Sequence, residues 1–121
     1  MQKQLTMDEA RQIYDGMING LNEALDEKDQ DIIELYEQFF RRAFRYTGIR
    51  AGWNRLLTFE ERREQDEQRT QAHDAFISSV EILIHIGGDE GKKWEAILGG
   101  NRKRIGDLAG YVTLFESLES R

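Results

Sequence analysis

Apolar positions along this chain recur every three or four residues rather than every second one, the spacing that gathers side chains on one side of an α-helix. Ala10, Ile13, Met17, Leu21 and Ala24 form the first stripe. Thr6 stands ahead of it with Glu9 three places on, the spacing of a capping box, so the pattern predicts a helix over about 7–27. The polar stretch DEKDQD turns the chain. Ile32, Leu35, Tyr36, Phe39, Phe40 and Ala43 then make a second stripe, expected to end near Gly48, where glycine accepts the left-handed cap conformation. Between Thr47 and Leu57 the periodicity weakens. Ile49, Trp53, Leu56 and Leu57 lie scattered among glycines and arginines, which predicts a connector packed on the core, with room for a short helix.

Thr58 and Glu61 have the spacing of a second capping box, and a third helix is expected over 59–86 before Gly87-Gly88 stops it. Its halves differ. No apolar residue occurs from Glu60 to Gln71, whereas Ala72, Phe76, Ile77, Val80, Leu83 and Ile84 form a strong stripe. A helix polar on all sides needs side-chain pairing or a covering partner. Glu60 with Arg63 and Arg63 with Glu67 offer pairing, and segment 59–71 is expected to be a self-association or docking element unless the first or second helix covers it. Asp89 is expected to cap a short fourth helix carrying Trp94, Ile97 and Leu98, ended by Gly99-Gly100. Asn101 is expected to cap a fifth carrying Ile105, Leu108, Ala109, Val112 and Phe115 to about Leu118. Gly106 and Gly110, one turn apart, predict a close helix contact. The expected fold is all-α, a compact bundle of four long helices plus one short helix in a single domain, 1–121. Met17, Leu21, Tyr36, Phe39, Phe76, Val80, Leu83, Ile105, Leu108, Val112 and Phe115 are expected to share one core.

Composition narrows the chemistry. Cysteine is absent from the 121 residues, which removes disulfides, thiol nucleophiles and thiolate metal sites. Proline is absent too, as suits continuous helices. The start MQKQLTMDEA lacks the apolar run of a targeting segment, and no stretch approaches the roughly 20 apolar residues of a membrane span, so a cytoplasmic protein without membrane contact is expected.

His73-Asp74 is a dipeptide also found in metal-dependent phosphohydrolases. The second histidine, His85, lies twelve positions on and faces about 120° away on a straight helix of roughly 3.6 residues per turn. Two such histidines make a poor ligand set even with Glu81 one turn before His85, so no metal, no cofactor and no enzymatic activity are expected. Carboxylate pairs such as Glu34 with Glu37 read as solvated faces. GGDEGKK and GGNRKR read as helix stops followed by caps rather than phosphate loops, since neither follows a strand.

Charge is segregated. The net charge of −6 disfavours general nucleic-acid binding, yet Arg41, Arg42, Arg45, Arg50 and Arg55 stand with no acid among them and with Phe44, Tyr46 and Trp53 interleaved. Lys92, Lys93, Arg102, Lys103 and Arg104 form a second basic cluster. Both clusters are candidate interaction surfaces, and the first makes nucleic acid a possible partner. Acids gather from Asp26 to Asp31 and again from Glu60 to Glu67, a character suited to a basic groove on another protein.

The stretch RTQAHDAFISSVEIL, joined to GKKWEAILGGNRKRIGDLAGYV, resembles an uncharacterised family of short proteins from Gram-positive bacteria and their mobile elements. The shared pattern is an arginine before Ala-His-Asp, a tryptophan, then Arg-x-x-Ile-Gly-Asp; here it falls on Arg69, His73, Asp74, Trp94, Arg102, Ile105, Gly106 and Asp107. The match covers the C-terminal half. It implies a bacterial, phage or conjugative setting rather than a reaction, one in which small acidic helical proteins, anti-CRISPR inhibitors among them, act by stoichiometric binding. The residues themselves add one expectation: Arg69, His73, Asp74, Arg102 and Asp107 meet in a polar network if the fifth helix lies beside the third. The function expected from all this is binding of a protein partner as regulator or inhibitor. Nucleic-acid binding through 41–55 and a small hydrolase at His73-Asp74 are the alternatives.

Overall fold

In the computed structural model, which describes residues 4–55 and 58–119, the chain forms five helices and no strand among the described residues. Helix α1 spans Met7–Glu27, α2 Gln30–Asn54, α3 Phe59–Ile86, α4 Gly88–Leu98 and α5 Arg102–Glu119. The local signals account for most of the boundaries. Thr6 and Glu9 close the capping box at the start of α1, and Lys28 ends that helix in the left-handed region at φ 59°. Asp29 caps α2 through Ile32 N–H, and Asn101 caps α5 by accepting from the N–H groups of Lys103 and Arg104. Thr58 caps α3 by accepting from Glu61 N–H, and its hydroxyl donates to the Glu61 carboxylate.

Two boundaries depart from the sequence expectation. Helix α2 does not stop at Gly48 but runs through Gly48 and Gly52 to Asn54, so most of the expected connector is helical; Leu56 and Leu57 lie outside the described residues. Glycine inside a helix costs only about 1 kcal/mol against alanine, and contacts of the extension with α3 offset that cost. Helix α4 starts before Asp89: Gly87 is its N-cap, no side chain caps it, and Asp89 lies in its first turn.

Most of the buried hydrophobic residues form one cluster fed by every helix, with Leu5 ahead of α1 joining it. Every residue of the expected core belongs to it except Leu21, which is partly buried against its edge. Phe39 and Phe76 meet at 5.3 Å between ring centres at the α2–α3 seam, and Tyr14 meets Phe115 at 5.3 Å between α1 and α5. Helix α2 packs along α3 and α5, while α4 lies against α3 and touches α1. No described helix is long and apolar enough to cross a membrane.

Candidate functional site

At 28 residues α3 is the longest helix, and its first half continues past the core. From Phe59 to Gln71 only Gln65 and Arg69 are even partly covered. Their cover comes from the extended end of α2: the Trp53 indole N–H donates to the Arg62 carbonyl at 3.2 Å, and the guanidinium groups of Arg62 and Arg69 lie over the Trp53 ring at 5.0 and 4.8 Å. The ends of α2 and α3 thus form a two-helix arm pinned by one tryptophan. Within the arm a cavity of about 190 Å³ remains between Ile49, Gly52, Trp53 and Gln65. Phe59 at its tip is 80% exposed. Glu60, Glu64 and Glu67 are exposed and recur at helical spacing on one face of α3, roughly opposite its buried face.

Where the arm joins the core, α2, α3 and α5 line an open pocket of about 370 Å³. The Tyr46 and His73 rings stack in its wall, 4.8 Å apart and inclined by 26°. Gly106 stands behind them. A Cβ there would lie 2.9 Å from His73 Nε2, so the missing side chain is what lets the imidazole reach α5. His73 Nε2 lies 3.2 Å from the Arg102 carbonyl oxygen. A carbonyl only accepts, which assigns the proton to Nε2. Burial holds the His73 imidazole below its ordinary value; the Arg102 carbonyl opposes this, and the nearby Arg102 and Arg69 guanidinium groups add to the depression.

The expected polar network forms in two pieces. Arg102 joins His73 through its carbonyl and forms an ion pair with Asp74 through its guanidinium. Asp107 instead lies 3.6 Å from Arg50. Arg69 lines the cavity, with its Nε–H shut off from solvent and without a hydrogen-bond partner. His85 is exposed on another part of α3, and no three histidine, aspartate or glutamate side chains are grouped as a metal site among the described residues.

No protein-family model, curated protein or solved structure matches this chain.

Several basic residues that look like one patch in the sequence are divided by the helix into different roles. Arg42 reaches across to α3 and donates to the Ala75 carbonyl at 3.1 Å and to Ser79 Oγ at 2.8 Å. Arg104 donates to the Ile97 carbonyl at the end of α4 and to Glu9 of α1, tying three helices together. Arg41 pairs with Glu34 and Lys93 with Glu90, both on the surface. Arg45, Arg55, Lys92 and Lys103 are exposed. Of these, Lys103 lines the cavity together with Arg50 and Arg69. Tyr46 and Thr70 also line it, and neither was among the candidate site residues. Tyr46 sits one turn before Arg50, a signal usable only once the helix is known to continue past Gly48.

Proposed function

We propose that this chain acts by binding a protein partner, without chemistry of its own, and that it presents the acidic face of the α2–α3 arm to a basic groove on that partner. The observation that carries this is the row Glu60, Glu64 and Glu67, exposed beside an 80% exposed Phe59 on a helix segment that buries little of itself. A dozen ordered residues lose about 1–2 kcal/mol each in backbone entropy, and surface ion pairs return only a few tenths of a kcal/mol apiece. The Trp53 contact supplies part of the compensation within the molecule. A partner surface that covers the acidic face supplies more, and opposite charge gives it speed and selectivity. The sequence resemblance to short proteins of bacteria and mobile elements agrees with an inhibitor or regulator acting by stoichiometric binding in the cytoplasm.

The alternatives gain less support. A nucleic-acid surface over 41–55 would have to use Arg42 and Trp53, both engaged with α3, and Arg50, which faces Asp107. A hydrolase at His73-Asp74 would have to free both side chains from Arg102.

The test compares capture from a bacterial host lysate by three folded forms: the natural chain, a Glu60→Lys/Glu64→Lys/Glu67→Lys variant, and a variant with three reversals on α1, at Asp8, Glu23 and Glu27. Loss of a captured protein with the arm variant alone is expected. Equal capture by all three overturns the assignment to the arm, and sedimentation of the natural chain distinguishes self-association through 59–71.

A further inference from the structure

We propose that the cavity between α2, α3 and α5 is a binding site for a phosphoryl dianion, either free or at the end of a small phosphate monoester. This site is separate from the acidic face of the arm and does not depend on what that face binds. Three cationic residues from three helices line it: Arg50 from α2, Arg69 from α3 and Lys103 from α5. Among the described residues neither Arg69 nor Lys103 has a carboxylate within ion-pair distance. Arg50 has one, Asp107, on the side of an adjoining cavity that Arg50 also lines. Three positive charges against one negative leave two, the charge of a phosphate monoester above its second ionisation. A monocarboxylate would leave one charge unmatched.

Arg69 is also set apart by its Nε–H, which is closed to solvent and without a hydrogen-bond partner, so only its terminal Nη groups remain to meet a ligand. Buried donors without partners are rare in folded proteins, and strain, an ordered water or an ion accounts for each. Here the guanidinium is held in place by the Trp53 ring at 4.8 Å, so it cannot swing out to water without giving up that contact. A guanidinium and an ammonium group lining one pocket are donors suited to a tetrahedral oxyanion. The volume of about 370 Å³ exceeds what one phosphoryl group fills, which leaves space for an organic portion against Thr70.

His73 lies in the wall and reports on the cavity. The experiment follows the imidazole carbon–proton signals of His73 and His85 by NMR during titration with inorganic phosphate and, separately, with glycerol 2-phosphate, at constant ionic strength set with chloride. Saturable movement of the His73 signal, with His85 unmoved, is expected for at least one of the two. Saturation by phosphate places the recognition on the phosphoryl group alone, and saturation by the ester only assigns a share to the organic portion. Lys103→Gln, an exposed substitution that leaves folding intact, should raise the half-saturating concentration at least tenfold, as should Arg69→Gln, while Lys92→Gln should not. Non-saturating movement of both histidines overturns the site. Equal affinity for acetate overturns the dianion assignment, and an unchanged midpoint in Lys103→Gln and Arg69→Gln overturns the residue assignment.

Discussion

Gly91 and Ile84 meet backbone to backbone: a Cβ on Gly91 would lie 1.9 Å from the Ile84 carbonyl oxygen and 2.8 Å from its carbonyl carbon. The corner between α3 and α4 depends on that approach. Gly88 completes it with φ at +58°, a conformation that side chains disfavour.

Gly91→Ala is therefore expected to force α4 away from α3 and to disturb Trp94 and Leu98, both buried. A backbone neighbour cannot rotate aside as a side chain can, so the loss should reach about 3 kcal/mol, the upper end for overpacking. Urea unfolding measures it. A loss under about 1 kcal/mol would mean that the corner relaxes freely.

Arg42→Ala removes the two hydrogen bonds that brace α2 against α3 and leaves the buried Ser79 hydroxyl without its donor. Charged hydrogen bonds of this kind are worth about 1.5–3 kcal/mol, and a decrease near 2 kcal/mol is expected in the same measurement. Arg45→Ala, on the exposed flank of α2, should stay within about 0.5 kcal/mol of the natural chain.

His73 gives a pH dependence whose sign follows from its depressed pKa. Between the ordinary histidine value near 6.5 and the lower folded value, the unfolded chain carries the proton and the folded chain does not. Stability is then fully present above about pH 6.5 and falls as the pH drops toward the folded pKa, with a slope of at most about 1.4 kcal/mol per pH unit. Subtracting the profile of His73→Gln isolates this contribution. A difference that is flat between pH 5 and 7 contradicts the lowering of the His73 pKa by burial.

Trp53→Ala should release the arm without melting the core. Loss of the indole hydrogen bond and of the contacts with Arg62 and Arg69 should speed amide exchange across Glu60–Gln71 about tenfold or more, equivalent to roughly 1.4 kcal/mol of local opening. Amides of Phe76 to Leu83 should exchange as before, because this stretch of α3 is anchored in the main core by Phe76, Ile77, Val80 and Leu83.

Helix starts were legible in the sequence where a cap is local. Thr6, Thr58 and Asn101 each act within three residues of themselves, and α1 and α3 end where the pattern predicts. The end of α2 was not legible, because Gly48 reads as a stop in isolation and the contacts made beyond it, Trp53 with α3 and Arg50 with Asp107 of α5, are tertiary. Asp89 failed as a cap for a similar reason: the approach of Gly91 to Ile84 pulls α4 so close behind α3 that Gly87 becomes the N-cap. The basic segment looked like one surface because a linear string hides direction. At helical spacing Arg42, Tyr46, Arg50 and Trp53 share one side of α2, whereas Arg41 and Arg45 lie on its flank. The His73, Asp74 and Arg102 contacts were legible as a set, and the pairing of Asp107 with Arg50 needed the extended helix.

Gly48 and Gly52 lie one turn apart on the exposed flank of α2, and a Cβ at either would meet nothing within 4 Å. Neither glycine is required for packing, and each lowers the local helix-forming tendency where tertiary support is thinnest. The expected consequence is two cooperative units, a core that unfolds globally and a hairpin of helix ends that opens first. Heat capacity traces should show a shallow early transition ahead of the main one, and the all-or-none description would hold for the core alone. Opening of the hairpin would break the Trp53 contacts with Arg62 and Arg69 and the approach of Arg50 to Asp107, and would leave Phe39 on Phe76 untouched.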